Sequence, residues 1–469
     1  MTATATAPER APAAAPLLAL LMPAVLATVV ASDMVNLMLP SIGEQFGASE
    51  AELAWVVTGF LLMFSIGVPV YGRVSDRASL KRLFAFALAL YAAGSLVCAL
   101  APNLPVLVAG RIVTGAGAAA IPVLAMIAIT RLLPEGKRGM GIGVVSAAAG
   151  VGTAAGPALG GGIGQYLGWS ALFWIMLAAA LLLLPAALRL LPDGRPAGAD
   201  RFDLLGGALL GAGAGLALFG LTRMQADGPA APASWGSLAA AALALALFAW
   251  RTARSAHPFA PPALFADPHY RASVLTAFLA MAVNLGALVY VPLLLIDVNG
   301  LEPGAGALVM VPAGLAVAGL SPLIGRLADR TGSRPLVLAG LAAVIAAALF
   351  LSAFAGSVSV VPAGVGILVL SVGFILVMTP ILSSAAGALP ASQVGVGLGL
   401  LQGAQFLGAG AGPAVFGVLV TAVRQSGRDA VNPLHAAAGG AAYSDAFLAM
   451  AAVAAAAALI ALRMRRGAA

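Results

Sequence analysis

Charge is what this chain lacks most. Lys, Arg, Asp and Glu together make up 9% of its 469 residues, against about a quarter in a soluble globular protein, so a water-soluble domain with a charged surface is excluded. A single cysteine, Cys98, excludes a disulfide framework and a thiolate metal centre. The three histidines, His257, His269 and His435, are scattered with no ligand spacing, so no metal site is expected. No Gly-x4-Gly-Lys-Ser/Thr loop is present for ATP, and no cofactor is implied. Neither a Ser/His/Asp set, nor paired carboxylates, nor a Cys/His arrangement suggests an enzyme. What is abundant is apolar: 61% of residues are hydrophobic and the mean hydropathy is +1.03. That composition reads as a polytopic membrane protein.

The formal charge of +7 invites a nucleic-acid reading. The basic residues, however, sit in short loops between apolar runs, where they act as a membrane-orientation signal, and no nucleic-acid partner is expected. Runs long enough to cross about 30 Å of hydrocarbon fall near 17–39, 52–72, 83–101, 105–131, 139–166 and 169–191. Two follow near 204–222 and 236–251, then six near 272–297, 304–325, 335–354, 358–381, 394–422 and 441–462. The expected fold class is therefore an all-α membrane protein with fourteen spans. Leu17 to Ala31 resembles a signal-peptide core, but the apolar run continues to Leu39 and thirteen spans follow. With the N-terminus inside, 20 of the 24 Lys and Arg residues fall in inner loops and tails, and only Arg223, Arg424 and Arg428 fall outside. This predicts two cytoplasmic termini. The expected organisation is a disordered tail (1–16), a six-helix half (17–191), a linker with two extra helices (192–255), a second six-helix half (256–463) and a short tail (464–469).

Within the fifth span, Gly152, Gly156 and Gly160 are four residues apart, with Gly161 beside the last, and bare one helix face for close approach of a neighbour. Pro157 adds a kink, because it removes one helical hydrogen bond. The pattern recurs as Gly408, Gly412 and Pro413, 256 residues on. A second motif, Gly72-Arg-Val-Ser-Asp76-Arg77 through Arg82, recurs as Gly325-Arg-Leu-Ala-Asp329-Arg330 through Arg334, 253 residues on. Two independent motifs at nearly one separation mean a duplicated six-helix unit, with the two extra helices inserted between copies. Parallel repeats around a central cavity are an architecture of alternating-access transporters.

With these residues in view, the chain resembles the major facilitator superfamily, and within it the fourteen-helix drug:proton antiporters. Trp55-Val-Val-Thr58-Gly-Phe, Phe64-Ser-Ile-Gly67 through Asp76, and Gly115-Ala-Gly-Ala-Ala-Ala-Ile-Pro122 resemble the tetracycline-exporting branch. The resemblance implies proton-driven export of amphipathic drugs or antibiotics across a bacterial plasma membrane, by a chain expected to be a monomer. The alternative within transport is an importer or facilitator of a small metabolite. The resemblance also implies that Gly152 to Gly161 is the antiporter signature, and beyond close helix packing alone it is expected to form a tight, kinked contact between the halves that serves as a gate. The tetracycline branch carries acids in spans 5 and 13 where this chain has Thr153 and Ala409, which points to another drug or natural product.

Two charged residues inside spans stand out. Asp33 is read as the only acid well inside a span, where a carboxylate costs about 2.5–3.5 kcal/mol to insert. It either carries a proton or lies near the interface before Pro40 and meets water. Arg111 in the fourth span either tunes a carboxylate or binds a substrate group, as the resemblance implies for proton coupling, or serves as a hub for helix-end carbonyls. Gly72, Asp76, Arg77, Arg82, Gly325, Asp329 and Arg330 form the expected gating loops, with Asp76 capping the following helix or pairing with a basic neighbour to shut the cytoplasmic side. Asn36, Asn284, Tyr290, Gln402 and Gln405 are the expected cavity lining, or else interhelical ties.

Overall fold

The computed structural model describes residues 14–35, 38–48, 50–193, 203–227, 232–255, 257–301, 306, 308–354, 359–390, 393–435 and 440–464. Asn36 lies outside the described residues, as do the side-chain surroundings of Asp33, Thr153, Pro157, Gly160 and Gly161. The chain is all helix among the described residues. The first half comprises α1 (Ala14–Met34), α2 (Leu39–Phe46), α3 (Glu50–Ser75), α4 (Leu80–Ala99), α5 (Leu104–Ala118), α6 (Ala120–Leu132), α7 (Glu135–Leu167) and α8 (Trp169–Leu190). Then come the pair α9 (Leu204–Asp227) and α10 (Pro232–Arg254), followed by a short α11 (Pro262–Ala266). The second half is α12 (Pro268–Asp297), α13 (Val311–Thr331), α14 (Ser333–Phe354), α15 (Val361–Ala388), α16 (Val394–Ser426) and α17 (Ala441–Ala461).

Eleven of these rods are long and apolar enough to cross a membrane, counting α5–α6 as one, and 14–30 and 205–221 are shorter apolar helices. With the 33-residue α7, fourteen spans are compatible with the described residues. Leucines such as Leu182, Leu243, Leu315 and Leu459 point outward from the bundle, a penalty in water and the favourable arrangement in lipid.

Two expected spans differ from single rods. The run 17–39 ends at Met34, and Pro40 opens the separate helix α2, closed by Gly47 at φ 60 with its N–H on the Gly43 carbonyl. The run 105–131 breaks at Ala119, because Pro122 has no N–H to give the Ala118 carbonyl.

Each half packs alike. α1 lies on α7 as α12 lies on α16, and α4 lies on α5 as α14 lies on α15. The bared glycine face is used here, inside each half. Gly152 faces Leu26 and Val29 of α1, while Gly408 and Gly412 face the Phe278 and Ala282 backbone of α12. The expectation that this motif forms the contact between halves is corrected: these glycines hold each half together, and glycines nearer the N-terminus of the same helices make the crossing.

Gly412→Ala sets a Cβ against the Ala282 carbonyl oxygen, whereas Gly319→Ala meets nothing within 4 Å. Overpacking of this kind costs about 1–3 kcal/mol. Gly412→Ala is expected to lower the unfolding temperature of the detergent-purified protein, and Gly319→Ala to leave it unchanged or raised.

Candidate functional site

The halves meet along two seams, α3 against α16 and α7 against α13. At the arginine-rich end of the first, α3 runs out at Ser75 and Asp76 turns toward the other half. Its Oδ1 accepts from the Gly395 N–H at 2.8 Å and its Oδ2 from the Val396 N–H at 2.9 Å. Those are orphan donors at the start of α16, where the helix dipole also favours an anion. Arg131 of α6 adds a 2.7 Å ion pair to Asp76 and donates to the Ser75 carbonyl at 2.8 Å. The crossing needs glycine on both sides. A Cβ at Gly72 would lie 2.5 Å from the Gly395 oxygen and 2.7 Å from the Gly399 Cα, and one at Gly403 would meet Pro69. Burial pushes the Asp76 carboxyl above its ordinary range, against the pull of the two amides, Arg131 and Arg73.

The second seam repeats the device. Asp329, near the end of α13, accepts from the Gly139 N–H at 3.0 Å and the Met140 N–H at 3.3 Å, on the first turns of α7. Gly139 abuts Gly325, Gly143 abuts the Ser321–Pro322 backbone, and Gly150 abuts Val317. Each aspartate therefore meets a helix of the opposite half; of the two arrangements expected for Asp76, it does not cap the helix that follows it but does pair with a basic neighbour, Arg131.

The copies are not equal. The residue matching Arg131, 253 positions on, is Ser384, whose hydroxyl meets His269 Nε2 at 2.9 Å instead. The turn after the second copy uses Gly332 at φ 78. In the first copy Ser79 stands there at φ −59, and its hydroxyl donates to Asp193 at 2.7 Å. Arg82 pairs with the same Asp193 at 3.3 Å on the surface. Arg77 is half-buried and Arg330 exposed.

Deeper in the first half, Arg111 is fully buried. Its Nε donates to the Val56 carbonyl at 3.0 Å, and its guanidinium lies 4.2 Å from the centre of the Phe60 ring. Both terminal nitrogens lack a hydrogen-bond partner among the described residues. Phe60 stacks on Phe64 at 5.7 Å, and Phe64 meets Phe406 of α16 edge-on at 4.6 Å. An aromatic ladder thus links the buried cation to the other half.

The expected lining residues are not gathered into one described cavity. Tyr290 is buried and donates to the Pro413 carbonyl at 2.7 Å, a tie between α12 and α16. Gln405 reaches the Met378 sulfur at 3.2 Å. Asn284 and Gln402 are buried, each with its side-chain oxygen unpartnered among the described residues.

Sequence reasoning missed a carboxylate. Asp445 lies inside α17, buried and paired with Arg428 at 2.9 Å, so Asp33 is not the only acid within a span. Asp445 is three residues past an Ala/Gly run, and Arg428 lies in the preceding loop, which is the signal that could have found the pair. A cavity of about 670 Å³ also opens at the opposite end, between α2, α3 and α5, lined by Phe46, Glu52, Trp55 and Asn103 among others.

Removing the clamp acceptor tests the geometry. Loss of a helix N-cap costs about 0.5–2 kcal/mol, so Asp76→Ala is expected to raise the population with α3 and α16 separated by roughly 2- to 30-fold. Spin-label distances between cysteines at Ala78 and Gln393, in a Cys98→Ala background, read this out. The closed clamp holds its proton more tightly than an open, hydrated one. Acid therefore favours closure fully below the ordinary carboxylate range, and the effect fades as pH rises through the elevated Asp76 value. In Asp76→Asn the part of this pH dependence that Asp76 carries should be lost.

Residues 21–413 match the model of the Major Facilitator Superfamily. The chain is 31% identical over 390 residues to Multidrug resistance protein Stp of Mycobacterium tuberculosis, covering 83% of this chain and 72% of that protein. It is also 31% identical over 399 residues to the Tetracenomycin C resistance and export protein of Streptomyces glaucescens, with 83% and 72% covered. In architecture it is similar to the human organic anion transporter MFSD10, with TM-score 0.70 and 17% identity, covering 96% of this chain and 100% of that one. The duplicated halves, their crossed clamps and these matches together mean that the chain belongs to the Major Facilitator Superfamily of membrane transporters and is not an enzyme.

Proposed function

We propose that this protein is a proton-coupled exporter of amphipathic drugs or antibiotics in a bacterial plasma membrane, with both termini cytoplasmic. The observation that carries the reading is Arg111: a fully buried cation whose two terminal nitrogens have no described hydrogen-bond partner. A buried, always-charged group is costly unless an anion answers it. In a transporter that anion is one that comes and goes, a carboxylate losing its proton or an acidic substrate group. Asp33 on α1 is the carboxylate assigned to proton exchange. The clamps close the arginine-rich, cytoplasmic end, so the conformation is read as outward-facing.

The printed names of the relatives, multidrug resistance and tetracenomycin C export, favour export over the uptake of a small metabolite. Thr153 and Ala409, where the tetracycline branch has acids, favour a substrate other than a tetracycline–metal chelate. Energy then comes from the proton gradient.

The test uses a bacterial strain stripped of its own efflux pumps. Wild type is expected to lower susceptibility to at least one lipophilic antibiotic or dye and to release protons from energised everted vesicles when that compound is added. Asp33→Asn and Arg111→Ala should fall to the level of the empty vector while inserting normally. A wild type that protects against nothing and moves no protons sinks the export reading. Normal transport by Asp33→Asn sinks the coupling assignment alone.

A further inference from the structure

The two seams between the halves are covered differently. α9 runs antiparallel along the whole of α3 while touching α16. Gly211 meets Ile66, Gly215 meets Leu62, Phe219 stacks on Trp55 at 6.0 Å, and Leu218 fits against Gly410. α10 packs on α9 and faces away from the bundle. The inserted pair therefore lies over the α3–α16 seam.

Its cytoplasmic end is fastened. Asp203, just before α9, accepts from Arg251 near the end of α10 at 2.7 Å and from the Gly206 N–H at 2.9 Å. The segment after α10 then turns under the clamp. Phe259 is fully buried in a cluster with Leu264, Tyr270, Val396 and Leu400, with Val70 of α3 packed against it, and Arg73 donates to the Pro258 carbonyl at 3.3 Å. Phe259 thus sits between the two halves, in one cluster with Val70 of α3 and with Val396, whose N–H donates to Asp76.

Nothing comparable covers the α7–α13 seam among the described residues. On α13 the face away from α7 carries the exposed Leu323 and Leu327, and Val151 of α7, next to the seam residue Gly150, is exposed too. Its clamp aspartate is exposed too, whereas Asp76 is 9% exposed, and it has Ser384 where the first copy has Arg131.

We propose that the cytoplasmic end opens asymmetrically, at the α7–α13 seam, and that this seam is the lateral entry for an amphipathic solute dissolved in the inner leaflet. The α3–α16 seam, sealed by α9–α10 and plugged by Phe259, is the side about which the halves pivot. The inserted helices thereby select the route into the cavity. This rests on the export reading, since it concerns how an exporter loads.

The experiment is double electron–electron resonance on the full chain in lipid nanodiscs, in a Cys98→Ala background, with and without tetraphenylphosphonium as a lipophilic cation. One label pair replaces the exposed Lys137 and Arg326 and the other replaces Ala78 and Gln393. The longer-distance population at 137–326 is expected to exceed that at 78–393 by about threefold or more, given one charge-assisted contact fewer at that clamp. Phe259→Ala should raise the 78–393 component and leave 137–326 unchanged. A photoactivatable lipophilic cation in proteoliposomes should give label on α7 and α13 that tetraphenylphosphonium competes away.

Equal separation at both pairs, or an excess at 78–393, overturns the asymmetry and leaves the export reading intact. Competed label confined to α9 and α16 overturns the route. No separation at either pair in any condition overturns the alternating-access reading and this inference with it.

Discussion

A carboxylate placed on the exposed N–H groups of a helix it is not part of is the interaction on which the closed end depends. At Asp76 the donors are the first amides of α16, and at Asp329 the Gly139 and Met140 amides one turn into α7, each in the other half. A helix start offers unpaired donors and a positive dipole end, and that preference is short-ranged. The contact is therefore strong when seated and vanishes within a few ångströms of separation. Such a steep distance dependence makes a two-state latch, where a hydrophobic contact of similar strength would yield gradually.

The same two helices, α7 and α16, hold the molecule together in both directions. Their N-terminal glycines, Gly139 and Gly143 in one and Gly395, Gly399 and Gly403 in the other, cross to the opposite half. Their later glycines, Gly152 in one and Gly408 and Gly412 in the other, bind within their own half. Each helix is thus fixed at one end and detachable at the other. In lipid no hydrophobic force drives helices together, so backbone-close packing on glycine supplies much of the contact energy. A seam built that way can part and reseal without exposing a large apolar surface to water.

The repeat, the membrane class and the gating aspartates were legible in the sequence because each leaves a pattern in the chain: a period, a composition, a loop motif. The partner of Asp76 was not. It lies 319 residues away at Gly395, and only the register between the two halves determines which helix start the carboxylate reaches. The glycine motif was read correctly as a close-packing face and assigned to the wrong neighbour for the same reason, since spacing reveals that a face is bare and not what lies against it. Asp445 was overlooked because its helix is mostly alanine and its partner Arg428 sits in a loop, where a basic residue reads only as topology.

The two clamps are built alike and covered differently. With α9 along α3, Asp76 is buried, and a carboxylate out of water needs more than two amides to hold its charge. Arg131 answers that need on the covered side, tied to both Asp76 and the Ser75 carbonyl. On the uncovered side Asp329 is the more exposed of the two, its described donors are the two amides alone, and the matching position holds Ser384, which bonds His269. The arginine thus accompanies the covered clamp and the serine the uncovered one.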